Sequence, residues 1–146
     1  MKYITVDLIE KCRDAKKIVI FGYPKTGKIK IAKELSEALQ GRRLYKTDDY
    51  KNDGWSIDKL LEDTSSDPDP IIVEGIQTGR MLRKGFPADL IIKTKCNWKT
   101  IRRCYIADGE SKKVPHIPKF NRFLDKVFRE RKNKDIPIYE IETSLY

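Results

Sequence analysis

One stretch constrains the fold more than any other. The apolar run Ile18-Val19-Ile20-Phe21 leads straight into Gly22-Tyr23-Pro24-Lys25-Thr26-Gly27-Lys28, and a helical pattern follows at once. An unbroken apolar run of this length suits a strand buried on both faces, as in a parallel sheet. The next seven residues fit the G-x-x-x-x-G-K pattern of a phosphate-binding loop. Glycines let the backbone fold round a phosphate so that successive N–H groups point inward, and the helix N-terminus behind adds positive potential. Lys28 is then placed to reach β- and γ-phosphates. The expected ligand is a nucleoside triphosphate, ATP by default, cradled by Gly22, Tyr23, Pro24, Lys25, Thr26, Gly27, Lys28 and Ile29. The competing interpretation is an ordinary Gly/Pro turn with a surface lysine, and the flanking strand and helix weigh against it.

Ile29 departs from the fuller pattern, in which a Ser or Thr hydroxyl at this place meets Mg²⁺. Isoleucine has nothing to offer a cation. Mg²⁺ keeps several waters and often needs few protein ligands, so a carboxylate elsewhere can suffice. Thr26 is close, but its position in the loop is different and it is not assigned that role.

The rest of the chain alternates strand and helix signals. Ile29 to Leu39 carries Ile31, Ala32, Leu35, Ala38 and Leu39 at helical spacing, and Gly41 ends it. Arg42 to Tyr45 reads as a second strand, ending in Thr47-Asp48-Asp49-Tyr50. After a turn, Ser56 is a candidate cap for a helix with Ile57, Leu60 and Leu61. Two prolines make Ser65 to Pro70 a loop. Ile71 to Val73 is a third strand, Thr78 to Lys84 a short helix, Leu90 to Lys93 a fourth strand and Trp98 to Ala107 a helix. Val114 to Pro118 reads as a rigid loop. Phe120, Phe123, Leu124, Val127 and Phe128 mark one face of a longer helix, where aromatics belong to the core. Ile136 to Ile141 is the last strand. This order predicts an α/β fold, a parallel sheet with helices on both faces, and 146 residues suit one domain.

Composition narrows the partners. No apolar run approaches a membrane span, and Met1 to Asp7 lacks a signal segment, so a cytoplasmic protein is expected. Three cysteines without a C-x-x-C pair indicate neither a disulfide framework nor zinc. His116 sits between prolines and is expected to be solvated. The formal net charge is +9. Trp98 to Lys134 holds twelve Lys/Arg against four Asp/Glu, a balance of +8. That excess favours anionic partners, a nucleotide or a nucleic acid.

The carboxylates complete the pattern. In an open parallel sheet, ligands bind beyond the carboxyl ends of the strands. Asp48 and Asp49 follow the second strand and Glu74 the third, so they should meet the phosphate loop at one edge. One carboxylate there can take a proton from an acceptor hydroxyl, and another can hold the hydration shell of Mg²⁺. Either pair can equally be a polar turn or a cap. Gln77 and Arg80, just past Glu74, can contact an acceptor or simply cap a helix. Tyr50 and Trp55 can stack on a base or close their helix onto the sheet.

A phosphate loop, then Asp48-Asp49-Tyr50, then Val73-Glu74-Gly75-Ile76 looks like uridine kinase and nicotinamide riboside kinase. The resemblance covers most of the chain in order, through short motifs. It implies a three-layer P-loop fold with a five-stranded parallel sheet of order 2-3-1-4-5. It also implies transfer of the γ-phosphoryl group of ATP to a hydroxyl. Asp48 matches the base of that family, and Glu74 the residue that supports metal and acceptor. Asp48 and Glu74 are thus the Mg²⁺ candidates, while Asp49, Tyr50, Glu74, Gln77 and Arg80 are candidates for acceptor binding. The family's arginine-bearing lid corresponds to the basic region at about 98–134, where Arg102 and Arg103 are expected to screen charge. Departures are Ile29, Ala107 where a further lid arginine is expected, and a shorter chain. The family implies a nucleoside-like acceptor; the basic surface implies a hydroxyl on a modified base or an end in a polynucleotide, and viral P-loop kinases include such enzymes. The competing class, favoured by Ile29, is a non-catalytic module that binds nucleotide or nucleic acid.

Overall fold

The chain builds one sheet from β1 (Lys17–Phe21), β2 (Arg43–Lys46), β3 (Ile71–Glu74), β4 (Leu90–Lys95) and β5 (Ile138–Glu142). All neighbours run parallel, in the order β2-β3-β1-β4-β5. This is a computed structural model, and it describes residues 3–53 and 57–144. The cap expected at Ser56 and the stacking role open to Trp55 fall outside those residues.

Alternation along the central strands explains the layers. Side chains of a strand point to opposite faces in turn, and here both faces are covered. Val19, Phe21, Ile71, Val73 and Ile91 face one way, onto α3 (Ile57–Ser66), α4 (Thr78–Arg83) and α6 (Ile117–Arg129). Ile18, Ile20, Ile72 and Ile92 face the other way, onto α1 (Val6–Arg13) and α2 (Lys28–Ala38). The stacked rings of Phe21 and Phe128, centroids 4.4 Å apart, fasten α6 to β1. A small third cluster of Ile101, Tyr105 and Ile117 joins α5 (Trp98–Ala107) to the start of α6.

Several local expectations change. α1 was not foreseen: its sequence is polar, it buries Leu8 and Cys12, and Thr5 caps it by accepting from the Leu8 N–H. Val114 to Pro118 is not a loop. A 3₁₀ segment runs over Ser111–His116, and α6 begins at Ile117 with Pro118 in its first turn, where a missing N–H costs nothing. Thr47–Asp53 is likewise a 3₁₀ segment. α3 extends to Ser66, past the expected loop start, because Pro68 only forbids helix beyond its own predecessor. Phe123 is 51% exposed rather than core.

Candidate active site

The sheet register sets the site. Ile20 pairs with Glu74 across β1 and β3, and Lys46 pairs with Glu74 across β2 and β3. The chain therefore leaves three neighbouring strands at one edge. From β1 it enters the phosphate loop, from β2 the 3₁₀ segment with Asp48, and from β3 Gly75 and Ile76. A cavity of about 370 Å³ opens between them, lined by the loop from Pro24 to Ile29 and by Asp48, Glu74, Gly75 and Ile76.

The loop is held by its own side chains. Gly27, at φ +82°, takes the left-handed turn into α2 that glycine adopts without strain. Gly22 leaves room for the Thr94 hydroxyl, which a Cβ at residue 22 would strike. Thr26 Oγ1 donates to Tyr23 O at 2.7 Å and lies 2.8 Å from Thr94 Oγ1. Its oxygen is thus engaged inside the loop, and Thr26 is buried. Tyr23 turns outward, its hydroxyl donating to Asp125 Oδ2 at 2.5 Å, so α6 steadies the loop.

Lys28 is the buried cation of the cavity, 7% exposed, and its ammonium donates to Tyr23 O at 2.6 Å. Burial pulls its pKa down to about 8, against the opposing pull of Glu74 and Asp48. Glu74 is buried at the other wall. Burial pushes its carboxyl above the usual range, with Lys28 acting in the opposite sense. Among the described residues it accepts no hydrogen bond. A buried carboxylate and a buried ammonium, each short of solvation, form a site prepared for charged ligands.

Asp48 is exposed at the cavity mouth. Asp49 is exposed and outside the lining, and Tyr50 is committed elsewhere, its hydroxyl donating to Asp63 Oδ2 of α3 at 2.7 Å. Of the two roles open to Tyr50, the structure shows the one that closes α3 onto the sheet. Gln77 and Arg80 do not reach the phosphate cavity. Arg80 Nη1 donates to Gln77 Oε1 at 3.0 Å, and both line a neighbouring cavity of about 130 Å³ that shares Ile76 with the first. Lys25 contributes to the phosphate cavity through its place in the loop, but its ammonium turns to the segment after α5, 2.5 Å from both Asp108 and Glu110. Arg102 and Arg103 are exposed on α5 and line neither cavity. On that helix Ile101 and Tyr105 face inward, which turns the residues between them to solvent. Both arginines are expected to screen the triphosphate, and in this structure neither lines the phosphate cavity.

Sequence reasoning missed Asp108 and Glu110, whose tie to Lys25 spans more than eighty residues and leaves no local signal. It also missed Thr47, fully buried with its hydroxyl against Gly75, where φ is +137° and a Cβ would collide.

The donor set fits Mg²⁺ in one specific way. No group of three or more His, Cys, Asp or Glu residues suited to a metal occurs among the described residues. Asp48 and Glu74 share the cavity, and Ile29, 50% exposed on its wall, adds no oxygen. Two carboxylates suit a cation that keeps most of its waters and takes the rest of its ligands from phosphate.

Strand order, the loop after β1 and the helix behind it define a P-loop fold of the kind found in small kinases. Solved structures share it. Shikimate kinase from Acinetobacter baumannii, in complex with shikimate, matches with a TM-score of 0.62 at 13% identity, over 93% of this chain and 88% of that one. The YorR protein from Bacillus subtilis, in complex with phosphorylated GDP, matches at 0.57 and 14%, over 87% and 85%. A gluconokinase from Sinorhizobium meliloti 1021 matches at 0.52 and 12%, over 87% and 82%. At such identities the likeness is one of fold. No family model and no curated sequence matches the chain.

Proposed function

We propose that the protein is a kinase that moves the γ-phosphoryl group of ATP to the hydroxyl of a nucleoside-like acceptor, free or within nucleic acid. The observation that carries this reading is the meeting of Lys28, Asp48 and Glu74 in one cavity beneath a phosphate loop. Two of the structural neighbours are kinases by name, and a third was solved with phosphorylated GDP. The single-domain organisation and the basic lid at about 98–134 belong to the same reading, as does a cytoplasmic location. No helix among the described residues is long and apolar enough to cross a membrane.

In this reading Lys28 and the loop N–H groups hold the β- and γ-phosphates. The acceptor oxygen attacks the γ-phosphorus as the bond to the bridging oxygen breaks, and ADP leaves. Asp48, the exposed carboxylate, takes the hydroxyl proton. Glu74 and Asp48 are the groups that would hold Mg²⁺, which supplies positive charge to the transferring group. Arg102 and Arg103 take part only if the lid closes from the position seen here.

The test is transfer from γ-labelled ATP with Mg²⁺ to a nucleoside panel and to DNA and RNA, including hydroxymethylated bases. Lys28→Ala and Asp48→Asn run beside the parent. Label in one acceptor class, lost in both variants, is the expected result. ATP binding without transfer to any acceptor supports the second reading, a nucleotide-binding module, which the exposed Ile29 on the cavity wall favours.

A further inference from the structure

The outer face of α6 carries a row of cations that the phosphate cavity does not use. Lys119, Arg122, Lys126 and Arg129 recur every third or fourth residue, so they form one stripe along about a third of the helix circumference. All four are exposed, and none pairs with a carboxylate among the described residues. The helix has one acid of its own, Asp125, and that carboxylate is occupied by the Tyr23 hydroxyl. Glu130, just beyond the helix, is turned to Arg83, 3.3 Å away. The stripe is therefore unopposed by its own helix.

Phe123 lies at the edge of this stripe, half exposed, between the cations and the apolar side of α6. On that apolar side Phe120, Phe123, Leu124 and Val127 wall the cavity of about 130 Å³, with Gln77 and Arg80 opposite. Ile76 belongs to the lining of this cavity and of the phosphate cavity alike. Cations, an exposed ring, a partly polar pocket and the reacting centre thus follow one another across the surface.

We infer that the α6 face binds a single-stranded polynucleotide, its phosphodiesters along Lys119, Arg122, Lys126 and Arg129, one base against Phe123, and its reacting nucleotide at Ile76. A cationic row bordered by an exposed aromatic ring is the arrangement that tracks a strand without reading its sequence. A free nucleoside has no use for four cations in a row. That the strand is also the acceptor rests on the kinase reading above; that it binds does not.

The test is fluorescence anisotropy with labelled single-stranded DNA and RNA oligonucleotides, without nucleotide. The variants are Lys119→Glu/Arg122→Glu/Lys126→Glu and Phe123→Ala, with far-UV circular dichroism to confirm folding. Four phosphate contacts predict that parent affinity falls roughly 50-fold between ~50 and ~200 mM salt. The triple variant should lose most of that salt dependence. Phe123→Ala should weaken binding at least about fivefold at every salt concentration. Oligonucleotide binding equal in parent and triple variant would overturn the proposal. So would binding of anionic phospholipid vesicles through the same residues with no oligonucleotide binding, since the face would then be a membrane surface. Oligonucleotide binding without phosphoryl transfer leaves this surface standing and removes the kinase reading; transfer to free nucleosides without oligonucleotide binding does the reverse.

Discussion

Asp67, just before β3, and Glu74, at its end, are both buried carboxylates, and their surroundings are opposite. Asp67 is fully served. Its Oδ1 accepts from the Asp69 N–H at 2.9 Å, and its Oδ2 accepts from Tyr45 at 2.8 Å and Arg43 at 2.9 Å. The Asp69 amide and the Tyr45 hydroxyl hold its pKa below the usual carboxylate range. Glu74 has no such donors among the described residues, and burial drives its pKa the other way. A carboxylate with its hydrogen bonds satisfied fixes a loop at one end of the sheet. One left short of them, facing a buried lysine at the other end, is the carboxylate that the proposed kinase would set beside its ligand.

Removing the Glu74 charge breaks the comparison most sharply. Glu74→Gln should lower phosphoryl transfer at least about 100-fold, the scale of losing one preorganised electrostatic group. The same variant should melt no lower than the parent, because a neutral amide is easier to bury than a carboxylate. Initial rates and thermal unfolding on one preparation check both halves.

Asp67→Asn should do the opposite: a melting temperature lower by several degrees, with unchanged ATP affinity. The pH dependence separates the two by sign. Asp67 is more acidic folded than unfolded. Its stabilisation is present above its unfolded pKa, ~3.9, and is lost as pH falls through the lower folded value. Glu74 is less acidic folded, so its contribution is present at low pH and is lost as pH rises through its folded value. Urea midpoints from about pH 3 to about pH 6 should therefore lose their acid slope in Asp67→Asn and gain a steeper one in Glu74→Gln.

The proposed lid gives the smallest expected effect. Arg102→Ala and Arg103→Ala should each reduce transfer by less than about tenfold, against the ~10³-fold loss when an arginine contacts the transferring group. A loss of that larger size would show that α5 closes over the cavity during the reaction.

Most of the sheet and half of the site could be read from residues alone. Ile18 to Phe21 and Ile71 to Val73 declare buried parallel strands, and once their order is known, Gly22 to Lys28, Asp48 and Glu74 must share an edge. The parts that could not be read depend on long-range pairing. Helix α1 sets Leu8, Ile9 and Cys12 at helical spacing against the sheet, a face too short to stand out among its charged neighbours in the sequence. Lys25 looks like a phosphate ligand until Asp108 and Glu110 are brought beside it. Phe123 reads as core beside the other aromatics of α6, but it stands at the margin of the face that Leu124, Val127 and Phe128 bury, next to the cations, and is exposed. Proline in the first turn of α6 reads as a loop because the same residue serves both.

In the proposed kinase, Lys28 is the cation that receives the triphosphate. The direct measurement is calorimetric titration of ATP into the parent and into Lys28→Ala, slightly above pH 8 and in buffers of different ionisation enthalpy. With a pKa of about 8, Lys28 is only partly protonated there in the free protein, and a bound triphosphate favours its charged form. One saturable site with proton uptake in the parent, and loss of both in Lys28→Ala, is the predicted result. Equal ATP affinity in parent and variant would contradict the account.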